Sequence, residues 1–426
     1  MRLPPAIIQH TEQVLREVLR FTGPADSILS QYFRANPRLG GRERGAVAEG
    51  VYTVLRNKSF FTEFANAPNV NAMRRLALLG LCDAMGFDAL GGLTEEEGAW
   101  LQDIARIDRS LLPVAIRANL PTWLYDKLCA QVGADDAMLI AESMNQPAAL
   151  DLRVNTIKAN REDVIAELAK APIRAEPTPF APFGLRVLQK PALQNLPLFK
   201  EGSIEVQDEG SQILAQIVGA KRGEMVVDFC AGAGGKTLAL GAAMRNTGRL
   251  YAFDISEKRL AKLKPRLARS GLSNVHTIQI AHEKDAKIKR LAGKIDRVLV
   301  DAPCSGLGTL RRNPDVKWRQ TLAGLAELNV KQLSILAGAA RMVKPSGRLV
   351  YATCSMLDEE NEGIVQAFLA SHPDFSLVPM HQVLQEQKID LDMQDYLKMM
   401  PHKHHTDGFF AAVLERKALT AKKDEE

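Results

Sequence analysis

The stretch VVDFCAGAGGKTLAL, Val226 to Leu240, decides how the chain is read. VVDF has the apolar content of a buried strand, CAGAGG is a run of small residues, and KTLAL opens a helix. A glycine loop between strand and helix lets backbone N–H groups and the helix N-terminus come close to a ligand. Two common templates fail. The P-loop, Gly-x4-Gly-Lys-Thr, would need glycine where Cys230 stands. The dinucleotide fingerprint, started at Gly232, would need glycine at Thr237. What remains is Asp228 at the strand end, the loop Cys230, Ala231, Gly232, Ala233, Gly234 and Gly235, and Asp254 closing the next apolar run, YAFD. An acidic residue there accepts both hydroxyls of a ribose. An adenosyl cofactor without a pyrophosphate suits this set, and S-adenosylmethionine is the expected one.

Working outward, apolar strands alternate with amphipathic helices from about residue 206. EMVVDFC, GRLYAFD, VHTIQIA, DRVLVDA and GRLVYATC read as strands, separated by EKRLAKLKPRLARSG, LNVKQLSILAGAARMV and similar helices. That alternation predicts a mostly parallel, seven-stranded sheet covered on both faces. HTDGFFAAVLER supplies a late strand, expected as an antiparallel edge hairpin, and 417–426 is expected to be a disordered tail. Before the sheet, ALDLRVNTIK, REDVIAELAKA and FGLRVLQ read as strand, helix and strand, a small α+β subdomain over 145–205. Residues 1–140 carry apolar positions at helical spacing and predict an all-helical domain.

With 46% hydrophobic and 25% charged residues, the composition is that of a soluble globular protein. No apolar run approaches the roughly 20 residues that span a bilayer. The N-terminal MRLPPAIIQHTEQVLREVLR is interrupted by charge too early for a signal peptide. A cytoplasmic protein, monomeric and without a membrane partner, is expected. The five cysteines form no C-x-x-C pair, so no metal site is expected, and PHKHH lacks acidic or thiol partners for one. The net charge of +5 is concentrated in SEKRLAKLKPRLARSG, KDAKIKRLAGK and TLRRNPDVKWR. Such stretches favour a phosphate-rich partner. Gln207, Asp208 and Ser211 are expected to cap a helix near the cofactor.

Two cysteines end two strands: Cys304 in DAPCSG and Cys354 in YATCS. With DFCAGAGGKT, DAPCSGLGTLRRNPDVKW, the lead-in FKEGSIEVQDEGSQ and the closing TDGFFAAVLER, the chain resembles the Sun/Nop-type, RsmB-like RNA (cytosine-5) methyltransferases over roughly 145–416. The N-terminal helices resemble the NusB-like RNA-binding module of some bacterial members. The resemblance implies a class I S-adenosylmethionine-dependent methyltransferase fold, Rossmann-like, over 206–416, preceded by an RRM-like subdomain. It implies RNA, most of all ribosomal RNA, as the partner. It implies that Cys354 is the nucleophile, that Cys304 assists product release, that Asp301 holds the polar edge of the base, and that Lys236 orients base or cofactor. Ala233 stands where the family usually has proline. For the adenine contact after the third strand, IAHEKDAK offers His282 or Asp285.

The chemistry explains why thiols belong in such a pocket. Carbon 5 of cytosine is a poor nucleophile until a thiolate adds to carbon 6 and turns the ring into an enamine. A free thiol, with pKa near 8.5, is only a few per cent ionised at neutral pH, so nearby positive charge should help. DNA cytosine-5 methyltransferases place their thiol at the position of Cys304 and lack one like Cys354. Methylation of an amine on RNA or protein is the competing reading, and it would not need Cys354.

Overall fold

The computed structural model describes residues 2–66, 70–189 and 191–418. The expected tail falls, from residue 419, outside them. The chain divides into two units, Met1–Pro147 with Thr309–Leu322, and Ala148–Gly308 with Ala323–Glu426.

The first unit is helical. Helices Ala6–Val18, Gly41–Arg56 and Ala72–Met85 bury Val14, Leu15, Val51, Val54, Leu78 and Leu81 in a common core. Gly50 and Gly80 let two of these helices approach backbone to backbone: a Cβ on Gly80 would lie 2.5 Å from the Gly50 carbonyl. Thr309–Leu322 belongs to this unit although it lies far along the chain. The Trp318 indole N–H donates to the Leu55 carbonyl at 3.2 Å, and Lys317 Nζ donates to Asn145 Oδ1 at 2.7 Å. Lys317 is buried, and burial, with Arg56 and Lys58 nearby, pulls its amine well below the usual lysine range. TLRRNPDVKWR is therefore not a uniformly solvated basic stretch. Its Lys317 is an internal anchor, buried and hydrogen-bonded to Asn145.

The second unit begins with a four-stranded antiparallel sheet. Its strands are β1 (Leu150–Val154), β2 (Ala175–Pro177), β3 (Gly184–Val187) and β4 (Ile204–Val206), in the order β2-β3-β1-β4. Helix Arg161–Lys170, capped by Asn160, buries Val164 and Leu168 against Leu152 and Leu185. The expected α+β subdomain is thus a β-α-β-β-α-β unit, with Pro197–Lys200 as its short second helix. Glu205 of β4 is buried and receives Arg266 and Arg269 at 2.9 and 2.5 Å, tying this small sheet to the basic helix Glu257–Ser270.

The large sheet contains β5 (Met225–Asp228), β6 (Arg249–Asp254), β7 (Val275–Gln279), β8 (Ile295–Asp301), β9 (Val343–Thr353), β10 (Phe375–Val378), β11 (Leu397–Met399) and β12 (Phe409–Arg416). Its order is β10-β12-β9-β8-β5-β6-β7, with β11 also paired to β12. β9, β8, β5, β6 and β7 are parallel, as the alternating pattern predicts. β12 is antiparallel but is not an edge: β9 lies on one side, β10 and β11 on the other. The physical reason is its composition. Phe409 to Leu414 are all buried, and a strand buried on both faces needs paired neighbours on both sides.

Successive residues of each strand serve opposite faces. Val227, Val298, Val300 and Tyr351 pack under helices Leu322–Ala340 and Glu362–Ser371. Val226, Leu299, Val350 and Ala352 pack under Glu209–Ile217 and Gly235–Ala243. The carboxyl ends of β5, β6, β8 and β9 then carry the residues singled out by the motifs.

Gly234 decides the turn into helix Gly235–Ala243. Its φ is +83°, and an added Cβ would sit 2.0 Å from Leu263 Cδ1. Gly223 has a similar φ of +80° but open space around it. Gly223→Ala should cost about 1–2 kcal/mol, the strain of the left-handed backbone alone. Gly234→Ala should cost clearly more, by about another 1–3 kcal/mol of overpacking, in denaturant titrations of both variants.

Candidate active site

The glycine loop is held by its neighbours. The Gly232 N–H donates to Asp254 Oδ2 at 2.8 Å, and the Ser256 N–H donates to Asp254 Oδ1 at 2.8 Å. Arg259 Nη1 lies 3.5 Å from the same carboxylate. Arg266 donates to the Ala233 carbonyl at 2.6 Å. Asp228 is buried at the end of β5 and accepts the Thr237 hydroxyl at 2.7 Å through Oδ2, while Oδ1 has no partner. Burial pushes its carboxyl up to about 7, against the pull of Thr237. Asp208 caps helix Glu209–Ile217, accepting the Gly210 N–H at 2.8 Å, and Gln207 donates to the Ser211 hydroxyl at 3.2 Å.

β8 and β9 run side by side with Asp301 opposite Ala352. Their continuations bring Cys304 Sγ to 3.2 Å from Cys354 Sγ, and the Cys354 N–H donates to Cys304 Sγ at 3.3 Å. The shared hydrogen bond, burial and the nearby charge of Glu360 hold the Cys304 thiol well above its ordinary value. Lys236 Nζ pairs with Asp301 Oδ2 at 2.7 Å and lies 5.8 Å from the Phe409 ring. Burial pulls the Lys236 ammonium down, but Asp301 outweighs it and holds the group above its usual value, so Lys236 stays charged. Cys230 is pushed up by burial and then by Asp301, Asp228 and Asp254, which makes it a neutral thiol.

One pocket of about 400 Å³ gathers Cys230, Asp254, Asp301, Cys304 and Cys354. Ala231, Gly232, Ala233, Gly234 and Gly235 do not wall it. Gly232 acts on it through Asp254, and Lys236 through Asp301. His282 is exposed, accepts the Lys284 N–H at 3.1 Å and stays outside the pocket. Asp285 accepts the Ala281 and Lys287 N–H groups, both at 2.9 Å, and these bonds hold its carboxyl below the usual range. From this turn, the acidic residue in the wall is Glu283, between the two candidates and accepting the Ser334 hydroxyl at 2.7 Å. Only the turn after β7 decides which of the polar side chains of His282, Glu283 and Asp285 faces inward, so strand and helix periodicity could not select it. Lys331 and Ile335 of helix Leu322–Ala340 also line the pocket and were not marked by any motif. Among the described residues, no group of three or more His, Cys, Asp or Glu side chains could hold a metal ion.

The family model described as 16S rRNA methyltransferase RsmB/F matches residues 215–415, and one described as an RsmF/B-like ferredoxin-like domain matches 120–194. The chain is 35% identical to the probable ribosomal RNA small subunit methyltransferase B of Synechocystis, over 95% of this chain and 98% of that one. It belongs to the RsmB/F family of 16S rRNA methyltransferases. The probable ribosomal RNA small subunit methyltransferase B of Bacillus subtilis is 33% identical over 71% of this chain and 68% of that one. The fold matches that of a methyltransferase homologue from Pyrococcus horikoshii, with a TM-score of 0.61 and 30% identity, over 73% of this chain and all of the other.

The cofactor of this RsmB/F chain is S-adenosylmethionine. The pocket fits it: Asp254 is pinned by two backbone N–H groups at the end of β6, where a ribose would be held, and Phe229 and Ile280 offer apolar walls. Asp254→Ala should weaken S-adenosylmethionine binding by about 1–3 kcal/mol, read by calorimetry. Unchanged affinity would remove Asp254 from the cofactor site.

Asp228 gives a pH-dependent prediction. Its folded pKa of about 7 lies above the ordinary 3.8, so its contribution is fully present below about pH 4 and is lost as pH rises through 7. Asp228→Asn removes that loss. The variant should gain stability relative to the parent as pH rises from 5 to 8, by an amount on the order of 1–3 kcal/mol. Urea titrations at both pH values would measure it, and parallel curves would show that Asp228 does not titrate in this range.

Proposed function

We propose that this chain methylates carbon 5 of a cytosine in small-subunit ribosomal RNA through a covalent bond between Cys354 and carbon 6. One observation carries the reading: two thiols from adjacent strands stand 3.2 Å apart inside the cofactor pocket. Transfer to an amine would require neither.

Bound S-adenosylmethionine supplies an electrophilic methyl group on a sulfonium. Asp301 accepts the exocyclic amine of the base and orients the ring, and Lys236, kept charged, fixes that carboxylate. Cys354, as thiolate, adds to carbon 6, and the electron pair of the 5,6 double bond becomes available at carbon 5. Carbon 5 takes the methyl group and becomes tetrahedral. Its proton then leaves to a base, the double bond re-forms, and the Cys354 sulfur departs as thiolate. Cys304 assists this elimination, a role supported by its Sγ lying 3.2 Å from that sulfur.

Charge supports an RNA substrate. Arg259 and Lys331 line the pocket, and Lys258, Lys262 and Lys264 are exposed on the helix that carries Arg259. The same reading takes the helical region up to about 140 as an RNA-binding module and 145–205 as an RRM-like subdomain. The target base must be unpaired or flipped out, since carbon 6 is attacked from the face of the ring.

The two cysteines should fail differently. Cys354→Ser should abolish both adduct and methylation. Cys304→Ser should leave attack and methyl transfer intact but slow elimination, so that the enzyme accumulates as a slow, RNase-sensitive band on a denaturing gel. The double variant should lose the band. Accumulation in Cys354→Ser instead would assign the nucleophile to Cys304, and full methylation by both variants would make an amine the better target.

A further inference from the structure

Behind the two thiols lies a buried carboxylate that no step above uses. Glu360 has no exposed surface. Its Oε1 accepts the Ser305 N–H at 2.8 Å and Gln332 Nε2 at 3.0 Å. Its Oε2 accepts the Ser305 and Ser355 hydroxyls, both at 2.5 Å. Ser305 directly follows Cys304, and Ser355 directly follows Cys354.

The surrounding bonds reach the same two loops. Gln332 also donates to the Pro303 carbonyl at 3.1 Å, just before Cys304. Asn361 accepts the Thr353 hydroxyl at 2.6 Å, just before Cys354, and donates to the Ser355 carbonyl at 3.2 Å. The Tyr351 hydroxyl donates to the Glu360 carbonyl at 2.6 Å. Among the described residues, no lysine, arginine or histidine forms an ion pair with Glu360. A buried carboxylate without a counter-cation costs several kcal/mol unless hydrogen bonds compensate it. Here every compensating side-chain bond goes to a serine beside a cysteine or to the amide that holds the first cysteine loop. A carboxylate can take all four donors at once, which a neutral amide cannot.

We propose that Glu360 is a positioning residue for methyl transfer, holding the Cys304 and Cys354 loops as one body through Ser305 and Ser355. The proposal rests on the reading of these cysteines as a pair acting on one base. The two cysteines lie 50 residues apart in the chain, and the β8–β9 register ends at Asp301 and Ala352, so both thiols sit on loops beyond the paired strands. The charge of Glu360 has a second effect, since it helps hold the Cys304 thiol above its ordinary value and so in the protonated form.

The test uses Glu360→Gln in the full chain, with two readouts. Without RNA, alkylation of each cysteine by iodoacetamide is followed by peptide mass spectrometry across pH. The midpoint for Cys304 should move to lower pH. With small-subunit ribosomal RNA, kcat should fall about 100-fold, the size expected for an ångström-scale misplacement, while KM for RNA and affinity for S-adenosylmethionine stay unchanged. Ser355→Ala, which removes one spoke and leaves the buried charge, should lower kcat in the same direction without moving the Cys304 midpoint, and it serves if Glu360→Gln does not fold. An unmoved midpoint, an unchanged kcat, or a loss of cofactor affinity in step with kcat would each overturn the proposal. If Cys354→Ser retained methylation, the covalent reading would fall, and the alkylation midpoint would still report whether Glu360 governs Cys304.

Discussion

The parallel pairing of β8 with β9 is the constraint on which the site depends. The register that sets Asp301 opposite Ala352 places the ends of both strands at one level. Two cysteines 50 residues apart in sequence then arrive within hydrogen-bonding distance of each other. Parallel strands require a crossover, and here it contains helix Leu322–Ala340. That helix covers the sheet with Ile335 and Leu336, sends Gln332 to the first cysteine loop, and contributes Lys331 to the pocket. One connection thus supplies packing, positioning and charge.

Electrostatics around the pocket follow from burial. Asp301 and Lys236 neutralise each other at 2.7 Å, and the lysine keeps its proton because its partner outweighs desolvation. Asp228 is buried, and burial raises its carboxyl to about 7 against the pull of Thr237 and Lys236. Cys230, enclosed by three carboxylates, is held as an inert thiol. The same enclosed setting therefore sets two of the cysteines apart: Cys230 as a neutral wall and Cys304 as a thiol raised by its partner.

The helical unit shows a different use of a buried cation. Lys317 is enclosed near Arg56 and Lys58, and burial, with these two charges, pulls its amine down. Its hydrogen bond to Asn145, together with the Trp318 bond to Leu55, holds Thr309–Leu322 inside that unit. The segment begins directly after Gly308, whose N–H donates to the Cys354 carbonyl at 2.9 Å.

Much of this was legible from local patterns. VVDFCAGAGGKT needs a strand, a glycine turn and a helix, because only that backbone accommodates its small residues, and the 2-to-3.6 change in apolar period repeats down the chain. The two strand-terminal cysteines and Asp254 were visible for the same reason: the end of a buried run is where a polar side chain meets a ligand. Features that depend on packing between distant segments were not legible. FFAAVL reads equally as an edge or an inner strand until β10 and β11 close on it. Lys317 reads as a surface cation until the fold buries it against Asn145. The choice of Glu283 over His282 or Asp285 depends on one irregular turn. Glu360, in a run of three acidic residues, is indistinguishable in sequence from its solvated neighbours. Periodicity encodes which face of an element is buried, but which side chains converge on a point is set by the pairing of elements far apart in the chain, and only the tertiary structure decides that.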